Sequence, residues 1–176
     1  IAKMTAIPFS VVPEDYTNTA LTEEAEVETK RLMDGAEFGE GWNTCYSKTL
    51  EDMLGTDNGW FLEVIGAGDP AGPIIGQPIT IAHLDSARCQ RTGDPIYPVL
   101  YRDSQGKLYK LHYSRVMYNS QMSSAIDEMF GVGFCAISRA AMAAQNLIDI
   151  SVYKMEKLGS RPHRELLITR GGLDPE

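Results

Sequence analysis

Cysteine, histidine and long apolar runs are all scarce in this sequence, and each scarcity removes a class of answer. Cys45, Cys89 and Cys135 stand more than 40 residues apart, are odd in number and include no C-x-x-C pair. That spacing excludes a disulfide framework and a cysteine-paired zinc site, and it fits reduced thiols. His83, His112 and His163 offer no spacing that would set two metal ligands on one face. No apolar run reaches the roughly 20 residues of a membrane-spanning helix, and no signal peptide is visible. Basic residues are also few, 16 against 24 acidic ones, for a net charge of −8. The deficit lies between Glu14 and Asp57, where twelve acidic residues face only Lys30, Arg31 and Lys48, a local −9 that leaves about +1 elsewhere. A chain without clustered cations does not hold a nucleic-acid backbone tightly. The acidic segment is read as a solvated face. There is no Walker-type loop and no glycine-x-serine-x-glycine elbow, so no catalytic constellation stands out and no cofactor is expected.

What is present is centred on one helix. From Ile137 small or apolar residues recur at Ala141, Ala144, Ile148, Val152 and Met155, steps of three and four that line one helical face. A second stripe runs through Ala136, Ala140, Ala143, Leu147 and Ile150, and Gly159 with Pro162 supplies a stop. The pattern predicts a helix over 136–158, roughly 33 Å long. Its alanine-rich first half lets another backbone approach closely. Two readings are open: a central core helix, or a helix shared with a neighbouring subunit through Ile137, Ala141, Ala144, Ile148 and Val152.

The rest reads as α+β, an antiparallel meander with flanking helices. An edge strand is expected within Ile1–Val12. Thr22 looks like the N-cap of a first helix, with Glu23, Glu24 and Glu26 in its first turn and Gly35 at its end. A second helix carries Trp42, Tyr46, Thr49, Leu50 and Met53 on one side, and Thr56-Asp-Asn-Gly59 is turn chemistry. Trp60–Ile65 reads as a buried strand, and Gly66–Pro78, with its many glycines and prolines, as loop. Further strands are expected at Ile79–Leu84, Ser86–Arg91, Ile96–Tyr101, Lys107–His112 and Val116–Tyr118. Asn119–Phe130 is expected to be a mobile loop, and Glu165–Thr169 a last β-like run. The division expected is a mixed domain over 1–130 and a long-helix segment over 131–176. The chain opens on Ile1 and is expected to be a piece of something longer.

Several residues invite chemistry and are weighed against plainer roles. Gly66-Ala-Gly-Asp-Pro-Ala71 and Gly131-Val-Gly-Phe-Cys-Ala136 each imitate a dinucleotide fingerprint. The first follows a strand but opens no helix, and the second opens a helix but follows no strand. His83 and His112 read as sheet residues. Asp149 and Glu156 lie two helical turns apart, too far for a close acid–base pair. Lys154, Lys157, Arg161 and Arg164 form a basic cluster, favourable near a helix C-terminus or else facing DNA or a partner.

The order of these pieces resembles the portal proteins of tailed bacteriophages, the head–tail connectors. The resemblance is carried by Ile1-Ala-Lys3, by the helix–turn–strand of Leu50–Val64, by Leu84-Asp85 and by Lys110-Leu-His-Tyr-Ser-Arg-Val116. It continues through Gly131-Val-Gly-Phe-Cys-Ala-Ile-Ser-Arg-Ala140 and Glu165-Leu-Leu-Ile168. It implies a structural subunit of a closed ring, typically of twelve copies, at one capsid vertex. Double-stranded DNA would pass through that ring without sequence recognition during packaging and ejection. Residues 1–130 would form the wing and 131–176 the stem helix and the start of the clip. Partners would be further copies of itself, the terminase, capsid and tail adaptor proteins, with no membrane. Its place would be the virion, and the host cytoplasm during assembly or as a prophage product. The resemblance implies no enzymatic activity. The alternatives are a small monomeric α+β binding module and, behind it, an NAD- or nucleotide-dependent enzyme.

Overall fold

A computed structural model describes residues 19–158 and shows an α+β chain of two antiparallel sheets, two flanking helices and one long helix. The chain divides into compact units at Arg139/Ala140. The expected edge strand in 1–12 and the run 165–169 lie outside the described residues.

Helix α1 spans Thr19–Asp34. It starts before Thr22, so that residue lies inside the helix and is not its cap. The Gly35 amide closes it on the Arg31 carbonyl. Arg31 also donates to the Pro78 carbonyl at 2.9 Å, tying α1 to the first sheet. A turn at Ala36–Gly39 follows, in which Glu37 and Phe38 adopt left-handed φ of 53° and 58°. Such conformations are costly for residues with side chains, and here the turn delivers the Glu37 carboxylate into the interior. Helix α2 spans Trp42–Gly55 and buries Cys45, Thr49 and Leu50. Cys45 therefore joins the expected face at its centre, while Trp42 stacks on Tyr46 at 5.6 Å nearer the surface.

The first sheet has the order β2–β1–β6, with β1 at Trp60–Ala67, β2 at Ile75–Leu84 and β6 at Val116–Asn119. Phe61 faces Leu84 on one side and Tyr118 on the other. The second sheet runs β3–β4–β5, with β3 at Cys89–Arg91, β4 at Val99–Arg102 and β5 at Leu108–Leu111. This corrects the single meander: β6 leaves β5 and pairs with β1, which contributes a buried residue to each of two cores. Successive side chains point to opposite sides of a sheet. Phe61 thus enters a core with Leu84, Cys89, Val99, Leu111 and Val116. Leu62 enters a second one with Ala36 and Cys45, flanked by Trp42, Trp60 and Ile81. Gly59, at φ +80°, sits where any Cβ would collide with the Asn119 carbonyl, so the β1–β6 approach needs glycine there.

Two further expectations are corrected. Gly66–Pro78 is not all loop: β1 runs on to Ala67 and β2 resumes at Ile75, paired across a bulge. Ser86–Arg91 is a 3-10 turn over Ser86–Arg88 followed by short β3. The Asn119–Phe130 stretch is a loop as expected, with a 3-10 turn at Asp127–Met129 and a bridge from Ser123 to Gly133. The Gly66–Pro78 region is held by Arg115, a residue only 2% exposed. Its guanidinium donates to the carbonyls of Gly72 (2.7 Å), Ala67 (2.7 Å), Gly66 (3.1 Å) and Pro73 (3.3 Å). One side chain thus donates to four backbone carbonyls of this Gly/Pro stretch.

Candidate assembly surface

Helix α3 spans Ala136–Leu158, starting where its periodicity predicts and running to the last described residue. Asp57, in the turn after α2, organises its start. The Asp57 carboxylate accepts the Cys135 amide at 2.8 Å, and its backbone carbonyl accepts the Gly133 amide at 3.1 Å. The Cys135 amide, then the Ser138 side chain, hold the Asp57 carboxyl below its ordinary range. The anion that a helix N-terminus attracts is thus the chain's own side chain. Gly133 lies so close to the Met122 and Gln121 carbonyls that a Cβ would collide with them. Gly131-Val-Gly133 therefore serves close backbone packing in this chain. The first glycine stretch, Gly66–Ala71, runs from β1 into a turn and opens no helix.

Beyond Arg139 the helix carries a broad apolar surface. Every residue from Ala140 to Leu158 is exposed, Leu147 at 66%, Met155 at 73% and Leu158 at 83%. Both stripes share this state: Ala141, Ala144, Ile148 and Val152 on one, Ala140, Ala143, Leu147 and Ile150 on the other. Ile137, in the first unit, is exposed as well. Among the described residues α3 buries none. Polar side chains along it are satisfied locally. Gln145 donates to Asp149 at 2.8 Å and Ser151 to the Leu147 carbonyl at 2.8 Å. Lys157 sits over the Tyr153 ring at 5.9 Å. Lys154 and Lys157 are exposed. Arg161, Arg164 and His163 lie outside the described residues, so the basic cluster is seen only in its first half.

The densest group of titratable side chains lies elsewhere, between α2 and β2. Lys48 pairs with Glu37 at 2.6 Å, and the second Glu37 oxygen accepts the His83 amide at 2.9 Å. His83 Nε2 meets Asp52 Oδ2 at 2.9 Å, and that oxygen also accepts the Ser86 amide at 3.1 Å. Burial works to raise the Glu37 pKa, but the Lys48 hydrogen bond, the His83 amide and the neighbouring charges outweigh it and the net shift is downward. Burial, with the Glu37 charge, pushes the Cys45 thiol up to about 11, which keeps it protonated and unreactive at neutral pH. The cluster ties the turn, α2 and β2 together. Glu37 and Asp52 here, and Asp57 at the start of α3, therefore depart from the solvated acidic face expected of their segment. Glu23, Glu24 and Glu26 remain exposed as expected. His83 is a strand residue as expected, whereas His112 follows β5 and accepts the Ser114 amide at the head of a 3-10 turn.

Among the described residues no three His, Cys, Asp or Glu side chains are grouped to hold a metal ion. None of the helices described is long and apolar enough to cross a membrane. Asp57 and Arg115 escaped the sequence reading. Asp57 had a local signal, an acidic residue in a turn, but its target lies 78 residues away. Compared with models of known protein families and with curated proteins, the sequence matches none of them.

Proposed function

We propose that this chain is an α+β binding module that works by docking, with α3 as its docking element. The observation that carries this is the exposure of seven large apolar side chains within 147–158: Leu147, Ile148, Ile150, Val152, Tyr153, Met155 and Leu158. Burying each contributes about 1.5–3 kcal/mol, a gross gain of roughly 10–20 kcal/mol, against an association cost of about 4–15 kcal/mol. The surface is therefore sized for a contact of moderate strength. Helices of this length draw most of their stability from packing, which also argues for a partner on α3.

A narrower reading makes the partner another copy of the chain. It rests on the resemblance to phage portal proteins and on the alanines at 140, 141, 143 and 144, which permit close approach of a second helix on two sides. In that reading the chain is a non-enzymatic ring subunit for DNA packaging, in contact with terminase and tail adaptors. Native mass measurement of the complete gene product over a range of concentrations separates the two. A uniform large ring supports the portal reading. A monomer at every concentration retires it and leaves docking onto a different protein.

A further inference from the structure

Met122 is both open to water and fixed in place. The residue is 65% exposed and its backbone stands at a left-handed φ of 52°. Its carbonyl lies so close to Gly133 that a Cβ there would collide with it, which leaves the main chain little freedom. The thioether is held as well, because Arg139 Nη1 donates to Met122 Sδ at 3.0 Å. The same guanidinium donates to Gln121 Oε1 at 2.9 Å through Nη2, and to the Cys135 carbonyl at 3.4 Å through Nε. Arg139 stands in the first turn of α3, and no carboxylate among the described residues pairs with it. A charged donor thus faces three neutral acceptors, of which the sulfur is the weakest.

Oxidation to the sulfoxide changes that balance. It places on the sulfur an oxygen of partial negative charge, and a guanidinium bonds such an oxygen far better than it bonds a thioether. Methionine oxidation ordinarily harms a protein by putting a polar group into apolar packing. At Met122 the side chain is already in water and beside a cation, so the new dipole meets no core. Among the described residues Met122 is the one methionine whose sulfur accepts a hydrogen bond.

We infer that Met122 is an oxidation site whose sulfoxide is captured by Arg139, so that oxidation fastens the Gln121–Met122 segment to the first turn of α3. The oxidant is hydrogen peroxide. A sulfur lone pair attacks one peroxide oxygen, the S–O bond forms as the O–O bond breaks, and the sulfur gives up two electrons. The departing hydroxide takes the proton left on the transferred oxygen and leaves as water. A sulfoxide reductase reverses the step, with two thiols becoming a disulfide and the oxygen leaving as water. The inference uses neither the apolar stripes of α3 nor the docking proposed for them.

The test treats the folded chain with hydrogen peroxide to partial conversion and follows hydrogen exchange by mass spectrometry. Peptides covering 121–133 then form two populations that differ by one oxygen, and fragmentation places that oxygen on Met122 or on Met129. The amides to watch are Ser124, bonded to the Val132 carbonyl at 3.2 Å, and Gly133, bonded to the Asp57 carbonyl at 3.1 Å. Met122 is expected to convert ahead of the less exposed Met117, Met129 and Met142. The population oxidised at Met122 should exchange about threefold more slowly, or slower still. In Arg139→Leu the two populations should exchange alike, and Arg139→Lys, which keeps a charged donor, should restore part of the difference. An oxidised wild-type population that exchanges as fast as the reduced one, or faster, overturns the inference, and this comparison depends on no variant. Slowing that persists in Arg139→Leu overturns it too, as does a Met122 that stays reduced while the three less exposed methionines convert.

Discussion

Replacing Arg115 by methionine keeps most of its bulk and removes every donor. Three of its four hydrogen bonds, to Gly72, Ala67 and Gly66, have lengths of 3.1 Å or less, and the fourth, to Pro73, is longer at 3.3 Å. A hydrogen bond from a charged donor nets about 1.5–3 kcal/mol, and a buried acceptor left bare costs about 1–3 kcal/mol. Against this stands the desolvation of a guanidinium with no carboxylate bonded to it, which the variant recovers. Partial rehydration of a Gly/Pro segment also softens the loss. The balance is a destabilisation of about 3–4 kcal/mol, a large share of the roughly 5–15 kcal/mol a domain possesses. In urea, with a slope of about 2 kcal/mol per M, the unfolding midpoint should fall by about 1.5–2 M. Arg115→Lys keeps the charge but reaches fewer acceptors, so it should fall between. Hydrogen exchange should accelerate first at amides between Ala67 and Ile75, where the bulge loses its anchor. A midpoint within about 0.25 M of wild type, equivalent to about 0.5 kcal/mol, would refute the role assigned to Arg115. Full rescue by lysine would refute it too.

Two further perturbations probe the start of α3. Asp57→Asn removes the anionic acceptor of the Cys135 amide and should cost about 1 kcal/mol at pH 7. Because the folded-state pKa of Asp57 is lowered, its stabilisation is full above the ordinary carboxylate pKa and is lost as pH falls through the depressed folded value. Urea midpoints of wild type and variant should therefore converge as pH is lowered through that window, and a gap independent of pH would contradict the assignment. Gly133→Ala forces a methyl group onto the Met122 and Gln121 carbonyls. It should destabilise by about 1–3 kcal/mol, read as a lower melting temperature, and a neutral outcome would show that the backbone there yields freely.

The parts of this fold that the sequence disclosed are those set by neighbours along the chain. The start of α3 follows from its repeat, and the Thr56–Gly59 turn from its residue types. The pairing of β6 with β1 was not legible, because Val116–Asn119 is short and its partner lies more than 50 residues earlier. The extension of β1 and β2 into a Gly/Pro stretch was hidden for a similar reason. It depends on an arginine 42–49 residues away whose surroundings show no periodic pattern. Glu37 looked like one more member of an acidic run, and only the left-handed turn at 37–38 carries it inside. For α3 the stripes were visible, but periodicity names faces without saying what covers them. A core helix and a docking helix share the same repeat, and burial is what separates them.

The most direct test of α3 as a docking element is Ala144→Glu, measured for stability and for association on the same preparation. Ala144 is exposed, so the account predicts an unfolding free energy within about 0.5 kcal/mol of wild type, together with loss of whatever complex the chain forms through this helix. A chain unfolded by the substitution, or one that assembles as before, would contradict it.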